Sequence, residues 1–314
     1  MSTVTHPSCA PGADQLILER SLRKKQIPPA FLYHSPEQAR LWQALHQKHS
    51  PAVNDPGCLQ IYEALAKDTW KEIGDVGVVL IGLGCADGKK EATLVGQGRA
   101  VAEFLAVDIS SSLAKAARQV VPAKVAQAVV LDLASAVDFP AFLEGLVQTT
   151  HRRIVTLFGV LPNLEPGPLL SSAVALLRPG DLLLLSANLA PGDDYRTGVE
   201  RILPQYDNAA TRAWLTQAMR ELGGDPGHAS LEFTIETVDA QHRIAADFHI
   251  SNPMKLGTGS VQVPFASGER LRAFHSCRHT PALIGKMLAA HGMEERAAHI
   301  TPSGEEGVWL ARRQ

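Results

Sequence analysis

The sequence predicts an α/β protein: a doubly wound, mostly parallel sheet with an additional substrate-binding module. Three observations lead there. Short, nearly continuous apolar runs recur at residues 76–81, 103–107, 128–131, 154–158 and 182–185, the pattern of parallel strands covered on both faces. Helix-spaced segments such as 111–120 and 169–177 lie between them, which gives repeated βα units. After Ser186 the alternation stops, and Pro191-Gly192-Asp193-Asp194 opens an excursion too long to be a plain loop between two strands.

Each remaining element follows from local pattern. Residues 35–49 and 59–73 repeat apolar side chains at helical spacing, and Ser35-Pro36 reads as an N-cap followed by proline at the first helical position. The opening stretch, with Pro7, Pro11 and Gly12, reads as a frayed tail. The excursion contains a helical pattern at 209–222 and strand-like runs at 231–238, 243–250 and 261–265. A helix at 280–291 and a strand at 307–312 return the chain to the sheet. The expected division is a nucleotide-binding domain of residues 73–188 and 279–314, an inserted substrate module of 189–278, and an N-terminal helical segment, 15–72, that joins that module.

Composition narrows the function classes. With 314 residues, 45% hydrophobic and 20% charged, the chain can bury a substantial core. Thirty basic and thirty-two acidic residues leave a formal charge of −2, which does not suit a phosphate-backbone partner, so nucleic acid is not expected. Cys9, Cys58, Cys85 and Cys277 are widely separated and form no C-x-x-C pair, so neither a disulfide framework nor a thiolate zinc site is indicated. His275-Ser276-Cys277-Arg278-His279 places two imidazoles and a thiol at alternate positions, but zinc needs a fourth ligand, and no metal is expected. With no leader pattern and no run approaching roughly 18 apolar residues, a cytoplasmic location without a membrane partner is expected.

The cofactor signal lies at the strand ends. The first strand runs into Gly82-Leu83-Gly84-Cys85-Ala86-Asp87-Gly88, where glycine allows a ligand close to the backbone. The second ends in Val107-Asp108, about 20 residues on, where a carboxylate can accept both hydroxyls of a ribose. The third ends near Asp132, placed to receive an adenine amino group. A helix-capping role remains open for either aspartate. Pyrophosphate of a nicotinamide cofactor would meet Asp87 in the loop, whereas S-adenosylmethionine carries no phosphate and brings an ammonium.

Taken in order, Tyr33, Gly82-x-Gly84, Val107-Asp108-Ile109-Ser110, the run 157–166 around Asn163, Gln205-Tyr206-Asp207-Asn208 and the run 268–276 resemble the histidine Nα-methyltransferase family of ergothioneine biosynthesis, from about Gln26 to the C-terminus. The resemblance implies a Rossmann-like methyltransferase sheet on which Gly82, Gly84, Asp108 and Asp132 bind S-adenosylmethionine. It implies that Asn163 and Tyr206 hold the head group of an amino-acid substrate, with Tyr33 and Ser276 also at the substrate. Two positions depart. Where the family grips the imidazole with a glutamate and a methionine, this chain has Phe274 and Ala246. An apolar wall leaves a ring nitrogen unpaired at about 1–3 kcal/mol, enough to move the preference away from histidine.

The expected activity is therefore S-adenosylmethionine-dependent N-methylation of the α-amine of an amino acid or related small molecule other than histidine. The alternatives are alkyl transfer to another nucleophile, transfer of the cofactor's aminocarboxypropyl arm, or a non-catalytic homologue that keeps the cofactor. No side chain stands out as a catalytic acid or base, and no Ser-His-Asp set can be assembled by spacing.

Overall fold

The computed structural model describes residues 3–10, 12–33, 35–49, 55–96, 99–136 and 138–314; Pro11 of the expected tail lies outside them. The strands, in chain order, are β1 (Val4–Thr5), β2 (Val78–Leu83), β3 (Val101–Asp108), β4 (Ala123–Val130), β5 (Arg152–Leu157), β6 (Leu182–Asn188), β7 (Ala229–Val238), β8 (Gln241–Ile250), β9 (Met254–Leu256), β10 (Val263–Phe265), β11 (Arg270–Arg278), β12 (Met293–Ile300) and β13 (Glu306–Arg313). The chain divides into two compact units. One comprises Met1–Ala10, Asp55–Leu189 and His279–Gln314, and the other Pro11–Asn54 and Ala190–Arg278.

The first unit is built on an eight-stranded sheet of order β1-β4-β3-β2-β5-β6-β13-β12. Pairing is parallel from β1 through β6, and β13 runs antiparallel to both its neighbours. Alternate residues serve opposite faces, as the period of a strand requires. Val79, Ile81, Leu105, Val155 and Leu183 enter one apolar cluster, while Val78, Leu80, Phe104, Ile154 and Leu182 enter the other. Both faces are covered, which is why the sequence shows continuous apolar runs rather than alternation. Strand order reverses between β2 and β5, and ligands of open α/β sheets bind outside the carboxyl ends of the strands at such a switch point.

Two expectations need correction here, and β12 has no counterpart among the expected elements. The opening residues are not a frayed tail: Val4 and Thr5 pair in parallel with Val129 and Val130, and the buried His6 packs edge-on against Phe142. The exposed edge of β4 offers the backbone partners that a two-residue strand needs. Helix Pro56–Ile73, assigned above to the substrate module, belongs to the sheet unit, because Ile61, Tyr62, Leu65, Ala66 and Ile73 bury in a cluster on the sheet's face. Finally, β12 went unread because it is an edge strand whose exposed positions include Glu295 and Arg296, so it shows no apolar run.

The second unit holds the antiparallel sheet β11-β8-β7, the β9-β10 ladder, and helices Ala13–Arg23, Pro36–His49, Tyr195–Tyr206 and Ala209–Glu221. Strands β7 and β8 are joined through Asp239 and Ala240, both at positive φ (48° and 63°), the geometry of the tight turn that matches strand twist. Helix starts are capped, at Ser35 as the sequence suggests and at two further positions. Ser35 accepts from the Gln38 N–H, Asp194 from the Thr197 N–H, and Asn208 from the N–H groups of Ala210 and Thr211. Trp214, Met219, Phe248 and Phe265 form part of the core.

Candidate functional site

The glycine turn after β2 is tied to the end of β3. Gly84 and Cys85 both donate to the Val107 carbonyl, at 2.8 and 3.1 Å, and the Ala86 N–H donates to Asp108 Oδ2 at 2.9 Å. Gly84 has φ of +64°, and a Cβ there would lie 2.5 Å from Val160 Cγ2, so glycine is what lets the β2 loop close on the loop after β5. Gly82 is buried within β2, where a Cβ would stand 3.0 Å from Cys85 Cβ and 3.4 Å from Glu91 Cγ.

Asp108 is 7% exposed. Its second oxygen accepts from the Ser110 N–H at 2.9 Å, while Ser110 itself caps the following helix through the Leu113 N–H. Helix capping thus falls to Ser110, and Asp108 instead tethers the glycine turn. Burial raises the Asp108 pKa, and the hydrogen bonds from Ser110, Ala86 and Ile109 oppose that rise. A carboxylate has about four acceptor positions, so beyond these backbone donors Asp108 keeps capacity to accept a ribose hydroxyl. Asp132 lies two residues beyond the end of β4, accepting from the Ala134 N–H at 2.9 Å and the Ser135 hydroxyl at 2.8 Å, so it closes a turn. Asp87 is paired with Lys89 at 2.7 Å, which offsets the charge that the sequence argument used against pyrophosphate. The glycine turn without a Cβ, beside a buried strand-end carboxylate, fits an adenosyl cofactor.

Glu91, just after the turn, is fully buried. Its Oε1 accepts from Thr156 Oγ1 at 2.8 Å, and its Oε2 has no hydrogen-bond partner among the described residues. Burial pushes the carboxyl up to about 7 from its ordinary 4.5. Because the folded value is the higher one, the neutral acid stabilises the fold fully below about 4.5, and this contribution is lost as pH rises through about 7. The melting temperature is therefore expected to fall between pH 5 and pH 8, and to fall less in Glu91→Gln. Equal slopes in scanning calorimetry would show that Glu91 is not the group that titrates.

Asn163 ends a short 3-10 turn, Leu161–Asn163, in the loop after β5 and is half-buried. The other expected substrate residues lie in the second unit. Tyr206, the last residue of its helix, has its hydroxyl 2.9 Å from Ser276 Oγ and accepts from Arg278 Nη2 at 2.8 Å. Phe274 stands opposite Ala246 in the β11–β8 register, just after a bulge between Arg272 and Phe274. Tyr206 stacks on Phe274 at 6.1 Å, Trp214 meets Phe274 edge-on at 5.8 Å, and Tyr33 meets Trp214 at 5.8 Å and Trp42 at 5.5 Å. Tyr33, Tyr206, Ala246, Phe274 and Ser276 are thus connected through one aromatic cluster. Trp214 and Arg278 were missed by sequence reasoning. Trp214 reads as a core residue of an amphipathic helix, and Arg278 was weighed only within a histidine and cysteine run. Among the described residues no group of three or more histidine, cysteine or acidic side chains is placed to hold a metal ion.

The sheet order, the glycine turn at the switch point and the strand-end carboxylate define a Rossmann-like methyltransferase fold. A protein-family model described as "Histidine-specific methyltransferase, SAM-dependent" matches residues 15–313, and the chain belongs to that family. Similar curated proteins are the histidine N-alpha-methyltransferases of Mycolicibacterium smegmatis (28% identical over 187 residues, 56% of each chain) and Mycobacterium tuberculosis (27% over 185 residues, 55% of this chain and 56% of that one). The chain thus spans little more than half the length of the curated relatives it matches. Among solved structures, a magnesium protoporphyrin IX methyltransferase from Synechocystis with bound S-adenosylhomocysteine is similar at 14% identity and a TM-score of 0.47, covering 90% of this chain and 97% of that one. Among the described residues no helix is long and apolar enough to cross a membrane.

Proposed function

We propose that this protein is an S-adenosylmethionine-dependent N-methyltransferase of the cytoplasm, acting on the α-amine of an amino acid or related small molecule whose side chain is less polar than that of histidine. The observation that carries the reading is the Phe274–Ala246 pair. These two residues face each other across the β8–β11 ladder, and Tyr206 and Trp214 pack on Phe274, so the wall that these four residues form is apolar and aromatic. A buried ring nitrogen left without a partner costs about 1–3 kcal/mol, which amounts to roughly a ten- to hundredfold preference.

When bound, S-adenosylmethionine supplies an electrophilic methyl group. The chain's own task is to bind and orient an amine lone pair toward it. Gly82 and Gly84 leave backbone open to the cofactor, Asp108 receives its ribose, and Asp132 its adenine. Within the second unit, Tyr206, set by Ser276 and Arg278, offers a polar anchor for a head group; in the sheet unit, Asn163 carries an amide able to bind an amino or carboxylate group.

The test is mass spectrometry of an amino-acid panel incubated with methyl-labelled cofactor. Label on the α-amine of an apolar or aromatic amino acid, in preference to histidine, is the expected result. Asn163→Ala should lower turnover of every amino-acid substrate. Phe274→Glu should instead reorder the ranking toward histidine, because a carboxylate there penalises apolar groups and accepts a ring N–H. Wild-type preference for histidine would overturn the side-chain reading, and label on a molecule with no α-amine would overturn the head-group reading.

A further inference from the structure

Among the buried acids of the sheet unit is one at the ligand-binding end of the sheet, Glu306. Glu306 is the first residue of β13 and lies opposite Asn188, the last residue of β6, so it sits at the carboxyl end of the parallel strands. It is 4% exposed. Helix Pro56–Ile73 supplies its partners: Tyr62 donates its hydroxyl to Oε1 at 2.9 Å, and the Cys58 thiol reaches Oε2 at 3.5 Å. Cys58 and Tyr62 are four residues apart on one helix face. The start of that helix is held on the turn before β13, where Asp55 accepts from the Ser303 hydroxyl at 2.7 Å. The Glu306 backbone is pinned as well, since its carbonyl accepts from the Thr301 N–H at 2.9 Å.

Such a carboxylate is short of donors. A carboxylate offers about four acceptor positions, and among the described residues this one receives one good hydrogen bond and one weak thiol contact. Lys90 Nζ is 4.0 Å from Oε1, too far for a hydrogen bond. Lys90 follows the glycine turn, lies 5.1 Å over the Tyr62 ring, and would be 3.4 Å from a Cβ at Gly159 in the loop after β5. The Gly159 N–H in turn donates to Ser186 Oγ at 2.8 Å, and Ser186 is a hydrogen-bond partner of Tyr62. Glu306 is therefore joined, side chain by side chain, to the two loops that flank the switch point, the place where the fold accepts a ligand.

We propose that Glu306 receives the α-ammonium of the cofactor's amino-acid arm. The inference rests on the cofactor reading above and assigns the end of that ligand which Asp108 does not touch. An ammonium supplies the charged N–H donors that the carboxylate lacks, and a charge-assisted bond in a buried site is among the stronger polar contacts. The cofactor's own α-carboxylate falls on the Lys90 side of the pair, so the zwitterion adds no net charge to the buried site.

Calorimetry on the full chain, with S-adenosylhomocysteine and its des-amino analogue as ligands, decides the matter. Wild type should bind the parent compound about tenfold more tightly than the analogue, and in Glu306→Gln that ratio should fall to about one. 5′-Methylthioadenosine, which lacks the whole arm, should bind both proteins alike. Equal affinity of wild type for parent and analogue overturns the proposal without recourse to any variant, as does a ratio that survives Glu306→Gln. Wild type that binds the parent compound but fails these comparisons leaves the cofactor reading intact, whereas wild type that binds neither the parent compound nor 5′-methylthioadenosine overturns both.

Discussion

Asp108→Ala is expected to bind S-adenosylhomocysteine about 1.5–3 kcal/mol more weakly than wild type, a loss of roughly ten- to hundredfold. Two effects add. The variant removes the acceptor proposed for the ribose hydroxyls, and it releases the Ala86 N–H and the Ser110 N–H, each bonded to one oxygen at 2.9 Å. Ala86 sits at φ of 48°, a conformation that alanine does not favour, so the tether to Asp108 helps hold the turn in the shape that faces the ligand. Asp108→Asn keeps one acceptor and the side-chain volume and should fall between the two. Since burial raises the Asp108 pKa and the proposed ribose contact uses the charged form, wild-type affinity should decline on acidification through that raised value, and Asp108→Asn should lack this decline. Titration calorimetry measures all three proteins. A folded Asp108→Ala with wild-type affinity would remove the residue from the site.

Gly88→Ala is expected to destabilise the sheet unit by about 2–4 kcal/mol, combining roughly 1 kcal/mol for a left-handed backbone with about 1–3 kcal/mol for overpacking. Gly88 has φ of +76°, and a Cβ on it would lie 2.7 Å from Ala117 Cα and 2.8 Å from Ala117 Cβ, in the helix that follows β3. That obstacle is backbone and cannot rotate away. Gly84→Ala meets only the Val160 side chain, which can move, so its stability loss should be the smaller of the two even though its nominal contact is shorter. Urea denaturation followed by circular dichroism separates the cases: Gly88→Ala should lower the midpoint well below that of Gly84→Ala, with an unchanged slope. The reverse order would mean that the helix after β3 yields more readily than its packing implies.

The central strands were legible because four of them, and the last three residues of β4, are buried and so appear as apolar runs, the one signal a parallel strand cannot hide. Asp108 was legible for the same reason, since a charge at the end of such a run has few structural uses. The short strand β1 carried no signal, because two residues have no periodicity and β1 forms only where β4 leaves an edge to pair with. Helix Pro56–Ile73 was read as a helix, but its unit was not, because an amphipathic stripe says that a helix buries one face and not what it buries it against.

The same limit divides the candidate site. The sequence by itself determined the βα rhythm and the glycine turn with its aspartate, since each of these depends on neighbours along the chain or on the order of motifs. Only the tertiary structure decided that Phe274 and Ala246 stand opposite each other and that Trp214 and Arg278 complete their surroundings. It alone brought Glu306 to Tyr62, two residues separated by most of the chain. The physical reason is that a buried polar group takes its partner from whatever the packing of elements brings within hydrogen-bond reach, and that distance is fixed by the close-packed core rather than by any local pattern.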